Sequence, residues 1–87
     1  MKWRLGRIRL RRRMAVLHAL AQVGPAGMTP NSLEVTTQLA EPQLNATLGE
    51  LMAAGLVTQR VDSGMLTDLH DKHYLLVKHA RQPGQPA

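Results

Sequence analysis

The feature that most constrains the fold is a leucine-rich stretch, residues 43–57, which reads QLNATLGELMAAGLV. Leu44, Leu48 and Leu51 recur at spacings of four and three, which place them on one face of a helix. Gly55 predicts a left-handed C-terminal end, because a residue without a Cβ adopts positive φ at little cost. The two apolar residues after it begin a strand-like run. The stretch therefore predicts a helix that leads directly into a strand.

A first helix is predicted from about Arg9 to Val23, before the turn GPAG. Its apolar residues cover more than one face: one stripe is Leu10, Met14, Leu17 and Ala21, and the residues that widen it are Val16, Leu20 and Val23. A helix this broadly apolar has more than one partner surface. We expect either the domain core plus a second chain, or a deeply embedded position.

The remaining segments predict a short helix and a hairpin. Thr29 is a candidate N-cap, with Pro30 at the first position of a second helix that runs to about Leu39. Met28 is expected to form a short first strand. Strands are predicted at 56–61 and 72–77, with a loop between them. The organisation is then a basic N-terminal arm at 1–8, a folded domain at 9–78 and a flexible tail at 79–87.

Residues 48–57, LGELMAAGLV, resemble the junction between the third helix and the wing in winged helix-turn-helix proteins of the MarR and ArsR types. The resemblance extends over about residues 10–77. It implies an α+β fold with three helices and a two- or three-stranded β wing. It also implies that the third helix lies in the major groove of duplex DNA.

The charge distribution favours a polyanionic partner. The formal net charge is +5, and seven of the eleven basic residues lie in the first thirteen positions. Arginine neutralises phosphates from many approach angles and inserts well into narrow minor grooves. The candidate phosphate-binding residues are Arg7, Arg9, Arg11, Arg12 and Arg13. A solvated terminus without a binding role is the alternative.

The third helix offers two interpretations. Gln43 and Asn45 can hydrogen-bond adenine edges, and Thr47, expected on the flank, can touch a phosphate or a thymine methyl. However, the helix carries no Lys or Arg, and Glu50 is expected to repel phosphates. Its outward residues are predicted to form a smooth stripe that suits close approach of another helix: Ala46, Gly49 and Ala53. DNA reading and protein binding therefore both remain open for this helix.

Two basic residues, Arg60 and Lys72, lie on the predicted wing and resemble the backbone or minor-groove contacts of winged helices. Ordinary surface charge is the alternative. A metal site is not expected in the cluster Asp68, His70, Asp71 and His73, because His70 and His73 on a strand point to opposite faces and no thiolate is present.

No sequence pattern indicates catalysis. There is no phosphate-binding glycine loop, no Ser-His-Asp order and no His-Glu-x-x-His motif, so we expect a non-enzyme without a cofactor. No apolar run is long enough for a membrane span. The apolar residues 14–21 follow a basic start but are few and include His18, so we expect a cytoplasmic protein rather than a secreted one.

The leading hypothesis is a small transcriptional regulator, such as a repressor, that binds duplex DNA as a homodimer. The resemblance implies a bacterial, plasmid or phage origin. The alternative is a protein-protein interaction module whose third helix binds a protein partner, while the basic arm contacts nucleic acid without sequence preference.

Overall fold

A computed structural model describes residues 2–62 and 71–80, which form a small α+β domain. The chain order is α1 (Lys2–Val23), a 3₁₀ turn (Gly24–Ala26), α2 (Pro30–Thr37), α3 (Glu41–Ala53), β1 (Val57–Asp62), β2 (Asp71–Leu76) and α4 (Val77–Ala80). The α+β class predicted from sequence is confirmed. The short helix α4 was not predicted, and it extends past residue 78, where the folded domain was expected to end. The predicted loop tip and most of the predicted tail, at 63–70 and 81–87, lie outside the described residues.

The core is built around the leucine face of α3. Its Leu44, Leu48 and Leu51 are almost fully buried, as the spacing predicts. They belong to one cluster with residues of α1, α2 and the strands: Val16, Ala19, Leu20, Leu33, Val57, Tyr74 and Leu76. Nearly every member is aliphatic, so the fold depends on branched side chains that interlock rather than on stacked rings.

Only one face of α1 reaches this core. Val16, Ala19 and Leu20 are buried, whereas Leu10 and Met14 on the other predicted stripe are 53% and 58% exposed. Leu17, on the same stripe, is partly buried against the edge of the core. The second apolar face expected from sequence is therefore real, and within the described residues it has no large partner surface.

Helix α1 begins at Lys2, so the start predicted at about Arg9 is wrong. Gly6 lowers helix propensity by about 1 kcal/mol, but its neighbours are mostly good helix formers. An added Cβ at Gly6 would meet no atom of the described residues within 4 Å, so this turn is exposed. The predicted arm is thus a helical extension of α1.

Local signals set the ends of α2 and α3. The Thr29 hydroxyl accepts a hydrogen bond from the backbone N–H of Ser32 at 3.2 Å, which confirms the predicted N-cap. At the end of α3, Gly55 has φ 78°. The N–H of Leu56 donates to Leu51 O and the N–H of Gly55 donates to Met52 O, both at 3.0 Å. This pair of bonds is a Schellman motif, which satisfies the last carbonyls of the helix.

The strands form an antiparallel pair whose register runs from Val57 opposite Leu76 to Asp62 opposite Asp71. Each strand is displaced by one residue from the prediction. Met28 makes a bridge with Tyr74 through two backbone hydrogen bonds of 2.9 and 2.8 Å, so the predicted first strand exists as a single residue. The bridge ties the segment before α2 to the hairpin.

We expect Leu48→Ala to lower the free energy of unfolding by about 2–5 kcal/mol, since it opens a cavity where three helices meet. Leu48 is 1% exposed. Chemical denaturation measures the change. The matched control is Val35→Ala on α2, where Val35 is 76% exposed, and it should move stability by no more than about 0.5 kcal/mol. Equal effects of the two substitutions would contradict this core.

Candidate nucleic-acid interface

The predicted phosphate-binding residues form an arginine segment, residues 7–13, in the N-terminal half of α1. Arg7, Arg9 and Arg11 are exposed, while Arg12 and Arg13 are partly buried where the helix meets the domain. Residues four apart share a helix face, so Arg9 and Arg13 point to one side and Arg7 and Arg11 to another. The segment therefore presents positive charge on several sides of a helix.

Arg13 connects this segment to α3. Its Nε donates to Glu50 Oε1 at 3.2 Å, and both side chains remain partly exposed. An ion pair this accessible to water contributes only about 0–1 kcal/mol to stability. Its larger consequence is electrostatic, because it neutralises the one carboxylate that was expected to repel phosphates from the middle of α3. The pair also leaves Arg13 less available to an external anion.

The outward face of α3 carries small, uncharged side chains. Ala46, Gly49 and Ala53 are exposed, as predicted. Pro42 is also exposed, and Asn45 lies exposed on one edge. A Cβ added at Gly49 would meet no atom of the described residues within 4 Å. Another macromolecule can therefore approach the α3 backbone closely.

The structure assigns structural roles to two of the three predicted base-contacting residues. Thr47 is 3% exposed, and its hydroxyl donates to Gln43 O at 2.8 Å. This corrects its expected position on the flank: it belongs to the buried 44, 47, 48, 51 pattern, a helical spacing that the sequence already contained. Gln43 Oε1 accepts from the N–H of Ala40 at 3.2 Å and so caps the helix. The side-chain NH₂ group of Gln43 takes no part in this bond.

On the hairpin, Arg60 and Lys72 differ in environment. Arg60 donates from Nη1 to Pro25 O and from Nη2 to Ala26 O, both at 3.1 Å. The guanidinium thus binds β1 to the 3₁₀ turn, a role that sequence reasoning missed because it depends on contacts across 34 or more positions. Lys72 is exposed and pairs across the ladder with Val61.

Comparisons with known proteins identify no family or relative for this chain. A scan against protein-family models and a search of curated proteins both find nothing that matches this chain.

None of the helices in the described part of the chain combines the length and apolarity that a bilayer crossing requires. Within residues 2–62 and 71–80, no three His, Asp or Glu side chains are grouped so that they could hold a metal ion. Asp68 and His70 of the cluster considered from sequence fall outside those ranges.

We expect Arg60→Ala to lower the free energy of unfolding by about 1 kcal/mol, because it removes two charge-assisted hydrogen bonds at a partly hydrated site. Thermal or urea unfolding measures the change. Lys72→Ala is the matched control on the facing strand, and it should alter stability by less than about 0.5 kcal/mol. If both substitutions have the same small effect, Arg60 does not hold the turn.

Proposed function

We propose that this protein is a winged helix-turn-helix protein that binds duplex DNA. The order of three helices followed by an antiparallel hairpin supports this assignment. The direct connection from α3 through Gly55 to β1 also supports it. This is the segment that resembles MarR- and ArsR-type regulators. In this assignment, α2 and α3 form the helix-turn-helix and β1–β2 form the wing.

The observation that carries DNA binding is the arginine segment on a projecting helix. Residues 6–11 are all exposed, so this part of α1 extends beyond the domain body. A helix holds its arginines at fixed spacing, and each phosphate they neutralise releases condensed counterions from the duplex. A floppy terminus would lose more conformational entropy on binding the same phosphates.

The contacts divide by type. The arginine segment and Lys72 supply phosphate contacts, which position the protein without reading sequence. On α3, the small stripe lets the backbone approach the groove floor, and Asn45 is the exposed side chain that can read an adenine edge. Gln43 can join only through its amide donors or by leaving its capping bond. We infer a cytoplasmic regulator that acts as a homodimer on a two-fold site, repressing transcription by occupying it.

A double substitution, Arg9→Ala with Arg11→Ala, should weaken binding by a similar factor on every duplex. It should also reduce the salt dependence of log affinity by about 0.9 per lost phosphate contact. Fluorescence anisotropy at several salt concentrations measures both quantities. Arg9→Lys with Arg11→Lys is the control, since it keeps the charge and should keep the slope. An unchanged slope in the alanine variant would remove the segment from the interface.

Asn45→Ala should cost about 1–3 kcal/mol on the preferred duplex and much less on random duplex, if Asn45 makes a good base contact. The preferred duplex is obtained by selection from a random pool, and paired titrations give the two affinities. The matched control, Asn31→Ala on α2, removes the same exposed side-chain chemistry and should leave the ratio of the two affinities unchanged. Equal losses on both duplexes would contradict base reading by α3.

The second candidate function is a protein-protein interaction module. The uncharged stripe of α3 favours it, because DNA-reading helices usually carry Lys or Arg on this face. In that case selection from random duplexes enriches no motif, and Asn45→Ala leaves DNA binding unaltered. The arginine segment would still bind nucleic acid without sequence preference.

A further inference from the structure

The DNA-binding proposal leaves a large apolar groove unused. It has a volume of about 810 Å³ and lies between the outer apolar face of α1 and a ridge formed where α3 meets β1 and β2 meets α4. Most of the lining is apolar: α1 contributes Met14, Leu17 and Ala21, and the ridge contributes Leu56, Leu76 and Val77. The polar side chains that line the groove are His18 and Lys78. Leu56 is 49% exposed, so apolar side chains on both sides of the groove remain in contact with water.

We propose that the occupant of this groove is α1 of a second copy of this chain, packed antiparallel to form a two-fold dimer. The proposal rests on the proposed function, which requires a homodimer, and it assigns the surface that makes one. A two-fold interface must be self-complementary, because the same patch meets itself.

The spacing of the exposed stripe on α1 fits such an interface. Leu10, Met14, Leu17 and Ala21 follow intervals of four, three and four residues, the spacing of a coiled-coil seam. In an antiparallel pair, residues whose numbers have a constant sum face each other. With a sum of 31, Leu10 faces Ala21 of the other copy, and Met14 faces Leu17. Each large side chain near the end of the seam then meets a small one.

The dimensions agree with this occupant. A helix with its side chains is about 10 Å across, so a groove of about 810 Å³ accommodates roughly two helical turns. Leu10 lies one turn before Met14, on the projecting part of α1, and does not line its own groove. In the antiparallel arrangement, that projecting turn lies over the groove of the partner.

Charge selects the antiparallel direction. Helix α1 has no acidic residue in its first turn and no basic residue in its last turn, so neither end complements the helix dipole. A parallel partner would place two arginine segments side by side. An antiparallel partner places each arginine segment near the carbonyl end of the other α1, where positive charge is favourable.

The oligomeric state of the full chain without DNA tests the proposal. Light scattering with gel filtration should give twice the 9.6 kDa of one chain. Met14→Glu puts a charge in the seam and should raise the dimer dissociation constant at least about tenfold. Ile8→Glu is the matched control: Ile8 is 43% exposed on the same helix, but outside the seam, so this variant should remain dimeric. Circular dichroism checks that both variants are folded.

Cross-linking tests the direction. The chain has no cysteine, so Leu10→Cys and Ala21→Cys introduce unique thiols. A mixture of the two variants should form disulfide-linked dimers, and neither variant alone should do so. Cross-linking of Leu10→Cys with itself would indicate a parallel pair and overturn the proposal.

Other outcomes also decide it. A monomeric parent chain at about 100 μM, a concentration at which a dimer with a micromolar dissociation constant is mostly assembled, would overturn the proposal and leave a foreign apolar peptide as the occupant. Equal dissociation by Met14→Glu and Ile8→Glu would overturn it as well. Because no DNA is present, a dimer that binds no duplex would contradict DNA binding and leave this interface standing. A monomer that binds duplex would contradict this interface and the homodimer, and leave DNA binding standing.

Discussion

The packing of the α3 leucine face against α1 is the interaction on which the rest of the structure depends. A chain of 87 residues buries only about two thirds of its unfolded surface, so it can assemble one small core. Leu44, Leu48 and Leu51 supply most of its centre, and Val16 and Leu20 close it from α1. Once α3 has used one face of α1, no other described element is large enough to cover the second face. The exposed seam and the groove beside it follow from this shortage of material.

The small amount of apolar surface also explains why some arginines connect elements of the fold. Arg13 joins α1 to α3 through Glu50, and Arg60 joins β1 to the 3₁₀ turn. Long side chains with several donors can connect elements that lack enough apolar surface to pack closely. Positive charge is therefore divided between fold and surface, with Arg7, Arg9 and Arg11 as the exposed part. This division makes the projecting half of α1, rather than α3, the centre of positive potential in the proposed interface.

Features that depend on neighbouring residues were predictable. The N-cap at Thr29, the left-handed Gly55 and the leucine face of α3 each involve atoms within one or two turns, so their chemistry is legible in the chain itself. The burial of Thr47 was also predictable from its helical spacing with the three leucines. Its hydroxyl, however, suggested a position on the surface. The Thr47 hydroxyl donates a hydrogen bond to Gln43 O, which offsets the cost of burying this polar group. Helix α1 starts before Gly6 because the helix-forming residues around that glycine outweigh its cost.

The sequence by itself determined the α+β class, the order of the main elements and the concentration of positive charge at the N-terminus. These follow from periodicity, capping and composition, which are local properties. The tertiary structure decided which of the two apolar faces of α1 is buried, that Glu50 is paired and that Arg60 is engaged by backbone carbonyls. Each of these depends on contacts between different elements of the chain, and the two arginine contacts join residues more than thirty positions apart. Both apolar faces of α1 could have entered a core, and only the three-dimensional packing of α3 and the hairpin selects one of them.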